Sequence, residues 1–220
     1  MRLHTQDDLF SSHGALAIDT TFATAQRVAL DTHSWVELVP AWMTGSMDLF
    51  EHLATAVPWR QHYRRLFEQE FLEPRLTAEY RTLHEVPHRM IIAAAAALSS
   101  RYDVSYDSLW LNLYRNGQDS TGWHRDRFSC RRRECIVPVL TLGATRRFLL
   151  KPHAGGASIA FTPRSGDLIV MGGACQQEWL HAVPKLADVL APRISLNFQS
   201  SRQAHRENRS QASAEERKPS

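Results

Sequence analysis

The sequence predicts an α+β fold: a sheet sandwich or jelly roll with helices packed outside it. Three observations carry this. Helical periodicity is confined to the first hundred residues. From about residue 109 to 200 the chain turns into short alternating apolar runs broken by Gly and Pro, the pattern of antiparallel strands. A helical part followed by a strand-rich part fits layers of sheet with helices on one side.

The N-terminal elements come first. HSWVELVPAWM, from His33, reads as a short strand ended near Pro40. Ser46 is placed to cap a helix running to about Val57, with Leu49, Phe50, Leu53 and Ala54 as its apolar face. Pro58 suits the first turn of a second short helix carrying Tyr63, Leu66 and Phe67. Phe71 to Arg89 reads as irregular loop and strand. Pro87 opens a helix through Met90, Ile91, Ala94, Ala95 and Leu98, ending near Ser100.

Six strands are then expected: Leu109–Tyr114, Cys135–Leu142, Arg147–Lys151, Ser158–Thr162, Asp167–Met171 and Arg193–Ser200. The division expected is a single domain over 1–200, with N-terminal helices in 1–104 and the jelly-roll core in 105–200. A disordered tail is expected over 201–220, which has no aromatic or large apolar residue.

Composition narrows the functional classes. With 220 residues, 43% hydrophobic and 22% charged, the chain is long enough for one well-buried domain and has an ordinary globular balance. A net charge of +3 is compatible with a nucleic-acid partner without proving one. The Met90–Leu98 apolar run is too short to span a bilayer, and MRLHTQDDLF shows no secretory core. The three cysteines form no CxxC pair, which points away from a zinc knuckle or disulfide framework and towards a cytoplasmic protein.

The chemistry is concentrated in His124-Arg125-Asp126 and His181. Residues two apart on a strand point the same way, so His124 and Asp126 can reach one metal. With His181 they make a 2-His-1-carboxylate set, which holds Fe(II) on one face and leaves the other open. Such ligands suit Mn, Co or Zn as well. In SLWLNLYRNG, Trp110, Asn112 and Tyr114 alternate with leucines, and buried Asn and Tyr need hydrogen-bond partners that a polar pocket supplies. In RISLNFQ, Ile194, Leu196 and Phe198 alternate with Arg193, Ser195, Asn197 and Gln199, and an Arg there can pair bidentately with a carboxylate.

NLYRNGQDSTGWHRD (Asn112–Asp126), LTLGATRRFLL (Leu140–Leu150), SGDLIVMGG (Ser165–Gly173), WLHAVPK (Trp179–Lys185) and RISLNFQ occur in that order. Together they resemble the AlkB family of Fe(II)/2-oxoglutarate dioxygenases, its bacterial AlkB-like members in particular. EPRLTAEY (Glu73–Tyr80) resembles part of that family's nucleotide-recognition region. The resemblance implies a double-stranded β-helix with N-terminal elements as a lid over the substrate. It implies His124, Asp126 and His181 as iron ligands and catalytic centre. Arg193 would hold the distal carboxylate of 2-oxoglutarate, with Tyr114 assisting. Asn112, Ser195 and Gln199 complete the co-substrate set, and O2 is the second co-substrate. Gly117 would sit in the turn that lets the chain approach the pocket.

The chain departs from that family at three places. A second Arg commonly stands six residues after the first; here it is Gln199, with Arg202 nearby. An acid commonly follows the iron Asp by two residues; here it is Phe128. An aromatic usually precedes the Tyr80 position; here it is Glu79.

The function implied is oxidative demethylation of alkylated DNA or RNA bases by a monomeric enzyme. On this reading Tyr80, Trp123, Arg125, Phe128, Arg131, Arg132 and Arg133 contact substrate, the arginines tracking phosphates. Phe128 and Gln199 keep a second reading open, hydroxylation of a protein or small molecule. A third, a catalytically silent binding module of the same fold, is favoured by the loss of the second Arg and opposed by the intact triad.

Overall fold

The computed structural model describes residues 14–66, 69–126 and 133–204. Its elements in chain order are β1 (Ala17–Ile18), β2 (Gln26–Ala29), β3 (Ser34–Val39), β4 (Met43–Thr44), α1 (Ser46–Ala56), β5 (Tyr63–Leu66), β6 (Gln69–Leu72), β7 (Leu76–Tyr80), α2 (Arg89–Tyr102), β8 (Ser108–Tyr114), β9 (Thr121–His124), β10 (Val137–Gly143), β11 (Phe148–Pro152), β12 (Ile159–Phe161), β13 (Leu168–Gly173), α3 (Cys175–Glu178), β14 (Trp179–Val183), β15 (Arg193–Gln199) and α4 (Ser201–Ala204).

A seven-stranded sheet in the order β2-β3-β13-β10-β15-β8-β7 faces a four-stranded sheet in the order β12-β11-β14-β9. Each pairing in these sheets is antiparallel. This is the jelly roll expected. The N-terminal part contributes more than external helices, because β2, β3 and β7 extend the larger sheet on both sides.

The alternation along β15 explains where the core and the site lie. Ile194, Leu196 and Phe198 are at most 1% exposed and join α1 and α2 residues such as Leu53 and Leu98 in one apolar cluster behind the sheet. Arg193, Ser195, Asn197 and Gln199 point the other way and line a cavity between the sheets. A second apolar cluster fills the rest of that space, with Val137 and Val139 from β10, Phe148 and Leu150 from β11, and Ile169 and Met171 from β13. Each large apolar side chain so buried contributes about 1.5–3 kcal/mol.

Several local expectations are corrected. Ser46 is the first residue of α1 and not its cap. The cap position is Gly45, in the left-handed region at φ 60°, and Ser46 Oγ meets Ser165 Oγ at 2.8 Å instead. No helix follows Pro58: β5 and β6 form a hairpin with Tyr63 opposite Leu72. The hairpin is rooted by Arg60 and Thr77, which exchange both backbone hydrogen bonds. Phe67 lies outside the described residues.

The helix expected after Pro87 runs two residues further, to Tyr102. His88 caps it by accepting from the Met90 N–H through Nδ1. Ser201–Ala204, expected in a disordered tail, form α4, and Gln203 clasps the Ile136 backbone N–H and carbonyl; residues 205–220 lie outside the described residues. Cys135 is disulfide-bonded, against the reading of the cysteine spacing, and Cys175 is free and buried. Among the described residues no helix is long and apolar enough to cross a membrane.

Candidate active site

β9 and β14 lie side by side in the smaller sheet, and their register sets His124 directly opposite His181. Cross-strand partners share a face, so both imidazoles point inward. Their ring centroids are 4.2 Å apart, and Phe148 stacks on His181 at 5.5 Å. The Asp126 carboxylate reaches both rings: Oδ1 lies 3.5 Å from His124 Nε2, and Oδ2 lies 3.5 Å from His181 Nε2.

The ligand atoms of all three residues fall within 4.8 Å of one another, a spacing that fits one divalent ion. β9 ends at His124, so Asp126 lies beyond the strand and the pleat does not direct its side chain.

The electrostatics suit a cation. Burial opposes ionisation of Asp126, yet His181 and His124 outweigh it and hold the carboxyl well below the usual range. Burial alone would depress His124, but the Asp126 carboxylate and the Gly122 carbonyl, 2.9 Å from Nδ1, hold its pKa above the ordinary histidine value. Burial dominates at His181 and lowers it, against the pull of Asp126.

The triad opens onto a cavity of about 770 Å³, lined on its far wall by Tyr114, Asn112, Arg193, Ser195 and Gln199. Arg193 is 1% exposed. Its Nη2 donates to Thr141 Oγ1 at 3.1 Å, while Nε and Nη1 have no hydrogen-bond partner among the described residues. A buried guanidinium with two idle donors is costly unless a ligand completes it. A carboxylate of 2-oxoglutarate fits that demand in charge and in accepting capacity.

Tyr114 Oη meets Thr121 Oγ1 at 2.8 Å, and the Tyr114 ring centroid lies 5.4 Å from the Arg193 guanidinium carbon. Asn112 Nδ2 donates to Ser195 Oγ at 3.1 Å, across the register pair that joins β8 to β15.

The residues expected at the substrate end divide. Arg125 lines the cavity, and its Nη1 donates to the Gln177 carbonyl at 2.7 Å. Arg133 is exposed, whereas Phe128, Arg131 and Arg132 lie outside the described residues. Tyr80 is 8% exposed and packs in the apolar cluster behind the larger sheet, opposite Leu109. Alternation turns its neighbour Glu79 towards the cavity instead. Trp123 alternates with His124 and is not part of the cavity lining; Lys151 Nζ sits 4.5 Å above its ring. Arg115, grouped with these arginines in the sequence, is committed to Asp119 by contacts of 2.8 and 2.9 Å.

Sequence reasoning missed Arg75, Glu73, His62 and Tyr63, all of which line the cavity. Arg75 lies inside EPRLTAEY, one residue before β7, in the same segment as Tyr80. Thr121 and Gln176 were also missed. Neither belongs to a spacing rule, because each acts through a tertiary contact.

A jelly roll with an open-faced His-Asp-His triad at one end of its barrel defines a class, the non-haem iron oxygenases. Residues 60–206 match the 2OG-Fe(II) oxygenase superfamily, and the chain belongs to that family as an AlkB-like member. Fe(II), 2-oxoglutarate and O2 are accordingly its cofactor and co-substrates.

The chain is 32% identical over 172 residues to alpha-ketoglutarate-dependent dioxygenase alkB homolog 3 of Bos taurus, covering 69% of this chain and 60% of that protein. It is 26% identical over 196 residues to DNA oxidative demethylase ALKBH2 of Arabidopsis thaliana, covering 70% and 61%. The match thus spans about three-fifths of the length of these curated relatives. Among solved structures, a 2OG-Fe(II) oxygenase family oxidoreductase from Burkholderia pseudomallei shares the fold with a TM-score of 0.52 at 17% identity, over 77% of this chain and 85% of that one.

Proposed function

We propose that this dioxygenase demethylates alkylated bases of DNA or RNA. The observation that carries the reading is one continuous cavity. It runs from the idle donors of Arg193, past the triad, to Glu79 and the hairpin residue Tyr63. Its volume lies within the ~300–1,000 Å³ of small-molecule sites. Similarity to the DNA oxidative demethylase of Arabidopsis thaliana supports the same reading.

When bound, Fe(II) and 2-oxoglutarate supply the oxidation: O2 is consumed, 2-oxoglutarate becomes succinate and CO2, and one oxygen atom enters a substrate C–H bond. On an N-methyl group the hydroxymethyl product then breaks its C–N bond, leaving formaldehyde and the free amine. The chain's residues position these partners. Arg193 anchors the distal carboxylate, with Tyr114 and Thr121 closing the wall beside it. Asn112 and Ser195 hold the middle of the cavity, and His124, Asp126 and His181 supply the three ligand atoms.

At the open end, a duplex base must leave its stack to enter. Tyr63, 73% exposed at the cavity mouth, offers a ring on which a flipped base can stack. Exposed Arg133 offers a cation for the backbone.

The test is succinate and formaldehyde formation with methylated and unmethylated oligonucleotides, single- and double-stranded. Fe(II)-dependent release of both products with methylated strands is expected, with His181→Ala inactive. Turnover indifferent to every nucleic acid would overturn the assignment.

A further inference from the structure

We infer that Gln176 is a positioning residue for the metal site, acting through Asp126. Asp126 lies past the end of β9, where strand pairing no longer fixes the backbone. Its backbone N–H donates to Gln176 Oε1 at 3.0 Å. Gln176 itself is 2% exposed, and its Nε2 points to Met171 Sδ at 3.5 Å.

Both ends of the amide are therefore occupied, the oxygen by the ligand loop and the nitrogen by a sulfur on β13. A flipped amide would set N–H against N–H, so the acceptor is held towards Asp126. Gln176 sits on α3, which leads directly into β14 and His181. The Arg125 bond to the Gln177 carbonyl adds a second tie between the same two segments. One short helix thereby sets the carboxylate ligand relative to the third ligand, without help from strand pairing. Outer residues of this kind orient ligands and tune affinity.

The inference rests on the metal site and not on the substrate assigned above. A protein that binds metal normally yet ignores methylated nucleic acid would sink only the latter.

The experiment titrates Co(II), without 2-oxoglutarate, into the full chain and its variants. The visible absorption of the bound ion and the melting temperature of the metal-free protein are followed together. Gln176→Leu keeps the volume and removes the acceptor, and it should weaken Co(II) binding about 10–100-fold with an altered absorption envelope. Gln176→Glu keeps an acceptor at the same reach and should restore affinity to within about threefold of the parent. Should the leucine variant not fold, Gln176→Asn, one methylene too short, must show the same loss. Parental Co(II) affinity and absorption in the leucine or asparagine variant would overturn the inference. So would equal losses in the leucine and glutamate variants that merely follow their melting temperatures.

Discussion

Arg75 donates from Nε to Oδ1 of Asn112 at 2.9 Å, and Trp110 Nε1 donates to the same oxygen at 3.2 Å. With its acceptor taken twice, the Asn112 amide has one orientation, and its NH2 faces Ser195. The cavity wall beside the triad is thus set by a residue from β7's leading loop and not by the jelly-roll core alone. Arg75→Met should let the amide turn. Loss of a hydrogen bond from a charged donor is worth about 1.5–3 kcal/mol. The expected result is a rise of about tenfold in the 2-oxoglutarate concentration giving half-maximal succinate formation. An unchanged saturation curve would show that Asn112 holds its place unaided.

The two histidine ligands should titrate apart in the metal-free protein. His124 is held above the ordinary histidine value of 6.5 by Asp126, and His181 below it by burial. His124 therefore contributes stability that is fully present below the unfolded value and lost as pH rises through its raised folded value. His181 works in the opposite sense, costing stability as pH falls below 6.5. Imidazole NMR shifts, followed from pH 5 to 9, should show His124 losing its proton at the higher pH of the two. The reverse order would contradict the Asp126–His124 geometry.

Arg193→Gln removes the buried charge whose Nε and Nη1 await a ligand. Truncating one side of a buried charge pair typically costs about 2–5 kcal/mol of binding. Calorimetry with metal-loaded protein should show 2-oxoglutarate affinity falling accordingly, while the melting temperature of the metal-free protein holds or rises. Gln199→Arg should act oppositely and tighten 2-oxoglutarate, since Gln199 lines the same cavity without a charge.

Gly117→Ala should destabilise the whole domain. A Cβ at Gly117 would lie 1.7 Å from the Leu186 carbonyl oxygen, and the glycine exchanges backbone hydrogen bonds with Leu186 and Val189. Backbone cannot yield as a side-chain tip can, so a loss of about 2–4 kcal/mol in urea unfolding is expected. A parental midpoint would mean that the 184–192 connection moves freely.

Much of the barrel was legible because its strands obey period two. Leu109, Leu111 and Leu113 against Trp110, Asn112 and Tyr114, and the same alternation over Arg193–Gln199, separate core from cavity in both sequence and structure. The triad was legible because ligand chemistry restricts residue types. Three things were hidden for physical reasons. Tyr63 to Leu72 contains both apolar and charged residues at no clean period, and Tyr63, Phe71 and Leu72 of the hairpin stay exposed instead of marking an apolar face. Tyr80 and Glu79 are adjacent on one strand, so an uncertain register assigned the aromatic to the face the carboxylate occupies. Thr121, Arg75 and Gln176 matter through partners distant in the chain, and no local pattern announces those.

The edge position of β9 has a mechanical consequence. A terminal strand of four residues is the part of a sheet most prone to peel away, and the bare edge it leaves recruits foreign strands. A metal bonded to His124 on that edge and to His181 on its neighbour rivets the two strands together. Iron supply would then govern shelf life as well as turnover: a starved molecule frays first at the strand that carries its own chemistry.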